Sequence, residues 1–93
     1  MSYSLQESQG TYTITVKSSL VKSKGWEKGQ GLDFNLVKNK VKVTEGSQTK
    51  LQFSNNRYFI VLPIAEELGW EKGDMFEWKV DGNGALVLHP KQQ

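Results

Sequence analysis

Lysine side chains are the residues of this sequence best suited to chemistry, and that chemistry is the neutralisation of phosphate charge. Residues 1–46 carry seven lysines against four acidic residues, a net charge of +3, whereas residues 47–93 carry five basic and six acidic residues, a net charge of −1. Lys17, Lys22 and Lys24 lie close together in the first half. We expect any nucleic-acid footprint to lie mainly there, because clustered cations attract phosphates. A solvated helix face is the alternative.

Groups able to catalyse a reaction are few. His89 is the single histidine and stands beside Pro90 with no candidate partner nearby in the sequence. The paired carboxylates Glu66–Glu67 and Glu71/Asp74 fall where helix capping and solubility explain them. The sequence has no cysteine, no glycine-rich phosphate loop and no histidine spacing typical of a metal site. We therefore expect a protein that is not an enzyme and has no cofactor and no metal site.

A repeated pentapeptide sets the element pattern. Gly-Trp-Glu-Lys-Gly occurs at residues 25–29 and again at 69–73, a displacement of 44 residues. Since tryptophan is rare and each glycine marks a candidate positive-φ position, duplication of one supersecondary unit explains the recurrence better than chance. The Trp26 and Trp70 side chains are predicted to anchor the core of each copy. Stacking against bases is the alternative.

The flanking residues predict the same elements in both copies. Each copy has a strand rich in β-branched and aromatic residues, one or two helical turns, the tryptophan turn, and then a hairpin whose first strand alternates apolar and polar residues. Hairpin turns are predicted at Lys38–Lys40 and Asp81–Gly84. The predicted strands are residues 12–16, 32–37 and 41–43 in the first copy and 57–62, 75–80 and 85–88 in the second. A further short strand at 51–53 turns back into Arg57.

The second copy resembles the AbrB, MazE and SpoVT family of swapped-hairpin DNA-binding domains. The resemblance is carried by residues 59–74, with an apolar-Pro pair, Leu-Gly and a Gly-Asp turn, and by a hairpin that ends at 86–90. Residues 14–29 are similar, with Lys17 where the proline is expected and Gln30 in place of the turn aspartate. Pro63 lies six residues before Gly69 rather than the usual eight, so the second helix should be shortened.

The resemblance implies a fold and a state of assembly. Family members pair as dimers with interleaved hairpins, because a unit of about 45 residues is too small to bury a core alone. We expect a mainly β, pseudo-two-fold-symmetric barrel of the swapped-hairpin or cradle-loop type, with one short helix per repeat. Residues 10–46 and 51–90 would form one domain, as a monomeric pseudo-dimer or as a homodimer.

The resemblance also implies a double-stranded DNA partner. Family contacts come from basic residues near the end of the first strand and on the short helix, which correspond here to Lys17, Lys22, Lys24 and Arg57. The second copy offers Glu66 and Glu67 on its helix instead. Because arginine makes the commonest base contact and only one is present, base reading would rely on Ser18, Ser19, Asn55 and Asn56 or on DNA shape.

Composition limits the setting. The longest apolar run is far below the roughly 20 residues that cross a membrane, and the amino terminus has no signal pattern, so a soluble cytoplasmic protein is expected. The polar segments Met1–Gln9 and Pro90–Gln93 are expected to fray. A short extra strand at Tyr3 and Leu5 is the alternative for the first segment.

Three functions agree with these features. The first is a DNA-binding transcription regulator, ranked above an antitoxin because the chain ends three residues after Pro90, without a toxin-wrapping tail. The second is a protein-interaction or assembly module, including an antitoxin-like one, that kept the barrel without DNA. The third is a designed or minimised tandem barrel with no ligand.

Overall fold

A computed structural model of the chain describes residues 2–38 and 40–91, which form two antiparallel sheets around one core. The elements are β1 (Tyr3–Ser4), β2 (Gln6–Ser8), β3 (Thr11–Val16), α1 (Ser18–Lys24), β4 (Gly31–Val37), β5 (Lys40–Glu45), β6 (Thr49–Lys50), β7 (Gln52–Ser54), β8 (Arg57–Val61), β9 (Met75–Val80) and β10 (Leu86–Pro90). Strand order is β1-β9-β10-β5-β4-β6 in one sheet and β2-β3-β8-β7 in the other. The predicted mainly β class and small barrel are confirmed. No helix of the described residues is long and apolar enough to cross a membrane.

The predicted hairpins form because alternating residues supply one apolar face. In the β4–β5 hairpin the buried residues are Leu32, Phe34, Val41 and Val43, and the residues between them point outward. The turn of the β9–β10 hairpin is closed by Asp81, whose Oδ1 accepts the backbone N–H groups of Asn83 and Ala85 at 2.8 and 2.9 Å. The first predicted turn includes residue 39, which lies outside the described residues.

The chain passes from one sheet to the other at two buried leucines. Leu5 separates β1 from β2, and Leu51 separates β6 from β7. The strand before each leucine lies in the six-stranded sheet, and the strand after it lies in the four-stranded sheet. The fraying expected for Met1–Gln9 is therefore wrong for residues 3–8, because burial of Leu5 and two strand ladders hold this polar segment. Fraying is also wrong for Pro90 and Lys91, since Pro90 belongs to β10 and the Lys91 N–H bonds the Met75 carbonyl at 2.8 Å. The fraying expected at residues 1, 92 and 93 lies outside the described residues.

Within residues 2–38 and 40–91 one helix forms where two were expected. Helix α1 ends at Gly25, whose φ of 72° allows its N–H and the next one to cap the carbonyls of Lys22 and Val21. The second-copy segment, residues 63–69, is a series of turns in which the Leu68 N–H bonds to the Ile64 carbonyl. Pro63 opens this segment two residues closer to its glycine than Lys17 is to Gly25. Too few residues remain to continue a helix.

The core lies between the two sheets. Ile14 of β3 lies opposite Ile60 of β8, and both side chains are fully buried. Trp26 is buried, and the ring of the half-buried Trp70 lies 4.5 Å from that of Phe76. The core role predicted for both tryptophans is confirmed.

Polar links also join the two halves of the chain. Trp78 Nε1 on β9 donates a hydrogen bond of 2.7 Å to the Thr15 carbonyl on β3. This bond ties the six-stranded sheet to the edge at which β3 leaves the barrel. It therefore helps to fix the position of Lys17, two residues further along the chain.

Candidate nucleic-acid interface

Two of the four predicted contact residues meet at one end of the β3–β8 strand pair. Val16 lies opposite Tyr58 in this antiparallel pair. Lys17 directly follows Val16 and Arg57 directly precedes Tyr58, so the two cations leave the sheet at the same end. Both side chains are exposed. Lys17 and Arg57 are 40 residues apart in the sequence. The pairing of β3 with β8, one strand from each half, brings them to the same end.

A surface depression of about 210 Å³ lies at this end and includes both cations in its lining. Ser18, the first residue of α1, and Asn56, in the β7–β8 turn, supply polar groups beside them. We call the surface formed by Lys17, Ser18, Asn56 and Arg57 the basic end. The remaining lining residues are neutral: Tyr3, Thr15, Val16 and Tyr58.

The turn that presents Asn56 is fixed by backbone geometry. Asn55 and Asn56 both have positive φ, 54° and 62°, as the two central residues of a tight type I′ hairpin do. Asparagine tolerates this conformation better than most side chains. The turn therefore holds an amide donor and acceptor next to Arg57, and amides of this kind can bond base edges or phosphates.

The outer face of the four-stranded sheet adjoins the basic end. A groove of about 370 Å³ runs over this face, and Arg57 and Thr15 belong to both depressions. Thr11, Thr13 and Thr15 alternate along β3 and supply a row of hydroxyl and methyl groups. Glu7 also lines the groove, and its Oε2 accepts the Gly10 N–H at 2.8 Å.

The two other predicted contact residues point in different directions. Lys22 is exposed and lies four residues after Ser18 on α1, so it shares the helix face that adjoins the basic end. Lys24 is half-buried. Its Nζ donates a hydrogen bond of 2.5 Å to the Gly84 carbonyl and lies 5.8 Å from the centre of the Trp26 ring. Lys24 thus holds the β9–β10 turn against α1.

A second group of cations lies on the outer face of the six-stranded sheet. Lys42 and Lys79 flank Val87 on the neighbouring strand, and Lys42 Nζ lies 3.3 Å from Asp81 Oδ2. The Ala85 N–H lowers the pKa of Asp81, opposed by partial burial and assisted by the Asn83 N–H and Lys42. Acidic residues therefore neutralise part of this face, unlike the basic end.

His89 occupies the same outer face. Burial lowers the pKa of His89, and the charges of Lys40 and Lys79 lower it further against the opposing effect of Glu77. The lowered pKa favours the uncharged imidazole, so His89 contributes little positive charge to this face.

Sequence analysis did not identify Tyr3, Thr15 or Tyr58 as part of this surface. The alternation of threonine along β3 was the available signal for Thr15, since residues 11, 13 and 15 must share one face of a strand. For Tyr3 no signal was available, because β1 reaches this end only by pairing with β9.

Comparison with known proteins gives one family match. Residues 51–93 match the model of the family described as antidote-toxin recognition MazE, bacterial antitoxin. The second half of the chain is thus similar to that family. Comparisons with curated proteins and with solved structures gave no match.

Proposed function

We propose that the protein binds duplex DNA through the basic end, as a regulator-like barrel built from two tandem copies of one unit. The observation that carries this proposal is that Lys17 from the first half and Arg57 from the second converge beside Ser18 and Asn56. Among the described residues, the depression at this end has no acidic lining residue. Its two cations thus keep their charge available for an external anion.

Strand pairing supports the tandem arrangement. The Leu5 N–H bonds to the Asp74 carbonyl and the Gly73 N–H to the Leu5 carbonyl, both at 2.8 Å. Leu51 makes the same two bonds, also at 2.8 Å, to Gln30 and Gly29 of the first tryptophan turn. Each half therefore inserts its leucine against the other half's turn, as the subunits of a swapped dimer would.

The register of β3 and β8 agrees with this arrangement. A shift of 46 residues relates Leu5 to Leu51 and also Ile14 to Ile60, which lie opposite each other. An approximate two-fold axis passes through that pair, since Thr13 faces Val61 and Thr15 faces Phe59. Two copies related in this way would form one closed core from a single chain.

Electrostatics explains how such a surface would bind DNA. Lysine and arginine displace counterions condensed on the duplex, and the released ions favour binding. Contacts of this kind fix orientation, while Asn56 and Thr15, which line the depression at the basic end, are the groups able to reach base edges. The match of residues 51–93 to the MazE family model supports a DNA-binding antitoxin or regulator.

A binding titration at several salt concentrations tests the proposal. We expect wild-type affinity for a duplex of about 30 base pairs, three helical turns, to fall steeply as salt rises. The variant Lys17→Glu/Lys22→Glu/Arg57→Glu should lose slope in the plot of log affinity against log salt, by about 0.9 for each phosphate contact removed. Lys24 is left unchanged because it bonds Gly84.

The matched control carries the same change in charge at other exposed lysines, Lys28→Glu/Lys50→Glu/Lys79→Glu. It should keep most of the wild-type slope, since these residues lie outside the basic end. Equal loss of slope in the two variants, or no salt-dependent binding by the wild type, would contradict the proposal.

A protein-interaction module is the second candidate, and exposed apolar side chains favour it. Leu36, Val37 and Val80 are each at least half exposed near the tips of the two long hairpins. Such side chains can form the apolar centre of a protein interface. Tight association with a protein that is unchanged by the three charge reversals, together with absence of DNA binding, would select this candidate.

A further inference from the structure

We infer that the barrel contacts DNA at one end only and so recognises a single, non-palindromic half-site. The inference rests on the proposed function and concerns how the two ends of the β3–β8 pair differ. A symmetric dimer presents the same groups at both ends and reads two-fold-related half-sites. This chain has the symmetry of the backbone pairing without the symmetry of the charges.

The end opposite the basic end can be identified by the same 46-residue shift. Thr11 takes the place of Arg57, Pro63 that of Lys17, and Gly10 that of Asn56. A depression of about 230 Å³ lies there, lined by these three residues and by Tyr12, Val61, Leu62 and Glu66. We call the surface formed by Gly10, Thr11 and Pro63 the neutral end, and Glu66 lies beside it.

Each cation at or beside the basic end corresponds to an uncharged or acidic residue at the opposite end. The segment from Pro63 to the second tryptophan turn is two residues shorter than its counterpart in the first copy. Beyond this point equivalent residues are therefore 44 positions apart, as Trp26 and Trp70 are. Glu66 then corresponds to Lys22, and Leu68 to Lys24. Glu66 is exposed, so a negative charge adjoins the neutral end, whereas the lysine Lys22 adjoins the basic end.

Distance separates the two ends electrostatically. They lie six residues apart along β3, about 20 Å at ~3.3 Å per residue, which is roughly six base pairs of duplex at ~3.4 Å each. The Debye length at 0.1 M salt is about 10 Å. Cations of the basic end therefore do not compensate for Glu66, and phosphates near the neutral end meet no attractive charge from it.

Single-cysteine crosslinking tests the inference, because the natural chain has no cysteine. Ser18→Cys at the basic end and Thr11→Cys at the neutral end each replace an exposed, uncharged residue and carry the same photoactivated crosslinker. With a mixed-sequence duplex of about 30 base pairs, we expect severalfold more crosslinking from position 18. Equal crosslinking from the two positions would overturn the inference.

A matched pair of charge insertions gives an independent readout. Ser18→Glu should weaken binding and lower the salt slope by about 0.9, and glutamate at the start of α1 agrees with the helix dipole, so folding is preserved. Thr11→Glu should leave affinity within about twofold, because it lies more than a Debye length from the basic end.

The outcomes separate the inference from the proposed function. Similar losses of affinity in Ser18→Glu and Thr11→Glu, with strong wild-type binding, would overturn the single half-site and leave DNA binding intact. Absence of wild-type binding to the duplex would overturn both. Strong binding with loss confined to Ser18→Glu would support both.

Discussion

Replacing Ile14 by alanine is expected to lower the free energy of unfolding by about 2 to 5 kcal/mol. The side chain is fully buried and lies opposite Ile60 at the centre of the β3–β8 pair, where strands from the two halves meet. Loss of three carbon atoms removes apolar burial and leaves a cavity that two facing strands cannot close. Urea denaturation followed by circular dichroism measures the change.

The partner position supplies an internal comparison. Ile60→Ala should cost a similar amount, and the double variant should deviate from additivity by about 0.5 to 3 kcal/mol, since the two residues are neighbours. Thr11→Ala, an exposed change on the same strand, is the control and should cost less than about 0.5 kcal/mol. Equal stability of Ile14→Ala and the control would contradict the described core.

Replacing Leu5 by alanine is the second large expected effect, again about 2 to 5 kcal/mol. Leu5 is fully buried although its neighbours in sequence are polar, and its backbone bonds both residues of the Gly73–Asp74 turn. Loss of its side chain weakens the contact between the amino-terminal segment and the Gly73–Asp74 turn of the second half. Urea denaturation measures the cost, with exposed Gln6→Ala as the control.

Leu51, from the second half, makes the equivalent backbone bonds to Gly29 and Gln30 of the first half. Leu51→Ala should therefore destabilise the protein by a comparable amount. The tandem arrangement predicts that both leucine variants are costly. If Leu5→Ala were as stable as Gln6→Ala while Leu51→Ala were not, the amino-terminal segment would not close the barrel and the reciprocal arrangement would be wrong.

Much of the sheet could be predicted because local patterns determine it. Alternation in residues 32–37 and 75–80 and the turn chemistry of Asp81 predict both long hairpins, and the structure confirms them. A short strand at Tyr3 and Leu5 was only an alternative to fraying, since one leucine among polar residues has no periodicity. The burial of Leu5 depends on contacts with residues about 70 positions away.

The helix predicted in the second copy does not form, and the reason is local and can be read from the sequence. Pro63 leaves only five residues before Gly69, enough for the glycine cap but not for a stable helix between them. The predicted shortening was correct in direction. Its consequence was larger than expected because helix formation has a costly first turn.

Both the family resemblance and the strand pairing were needed to locate the candidate interface. The family resemblance indicated Lys17, Lys22, Lys24 and Arg57, but only strand pairing shows that Lys17 and Arg57 share one end. Lys24 was indicated by the resemblance, yet its side chain bonds within the protein. Its bond to Gly84, 60 residues away, depends on how α1 lies against the β9–β10 turn and has no local signal.

The most direct test of the central claim is an NMR titration of the isotope-labelled protein with duplex DNA. The proposed function predicts that the largest amide shifts fall on Thr15, Lys17, Ser18, Asn56 and Arg57, and that they diminish as salt is raised. Shifts concentrated around Lys42, Lys79 and His89 on the outer face of the six-stranded sheet, or no shifts at low salt, would contradict it.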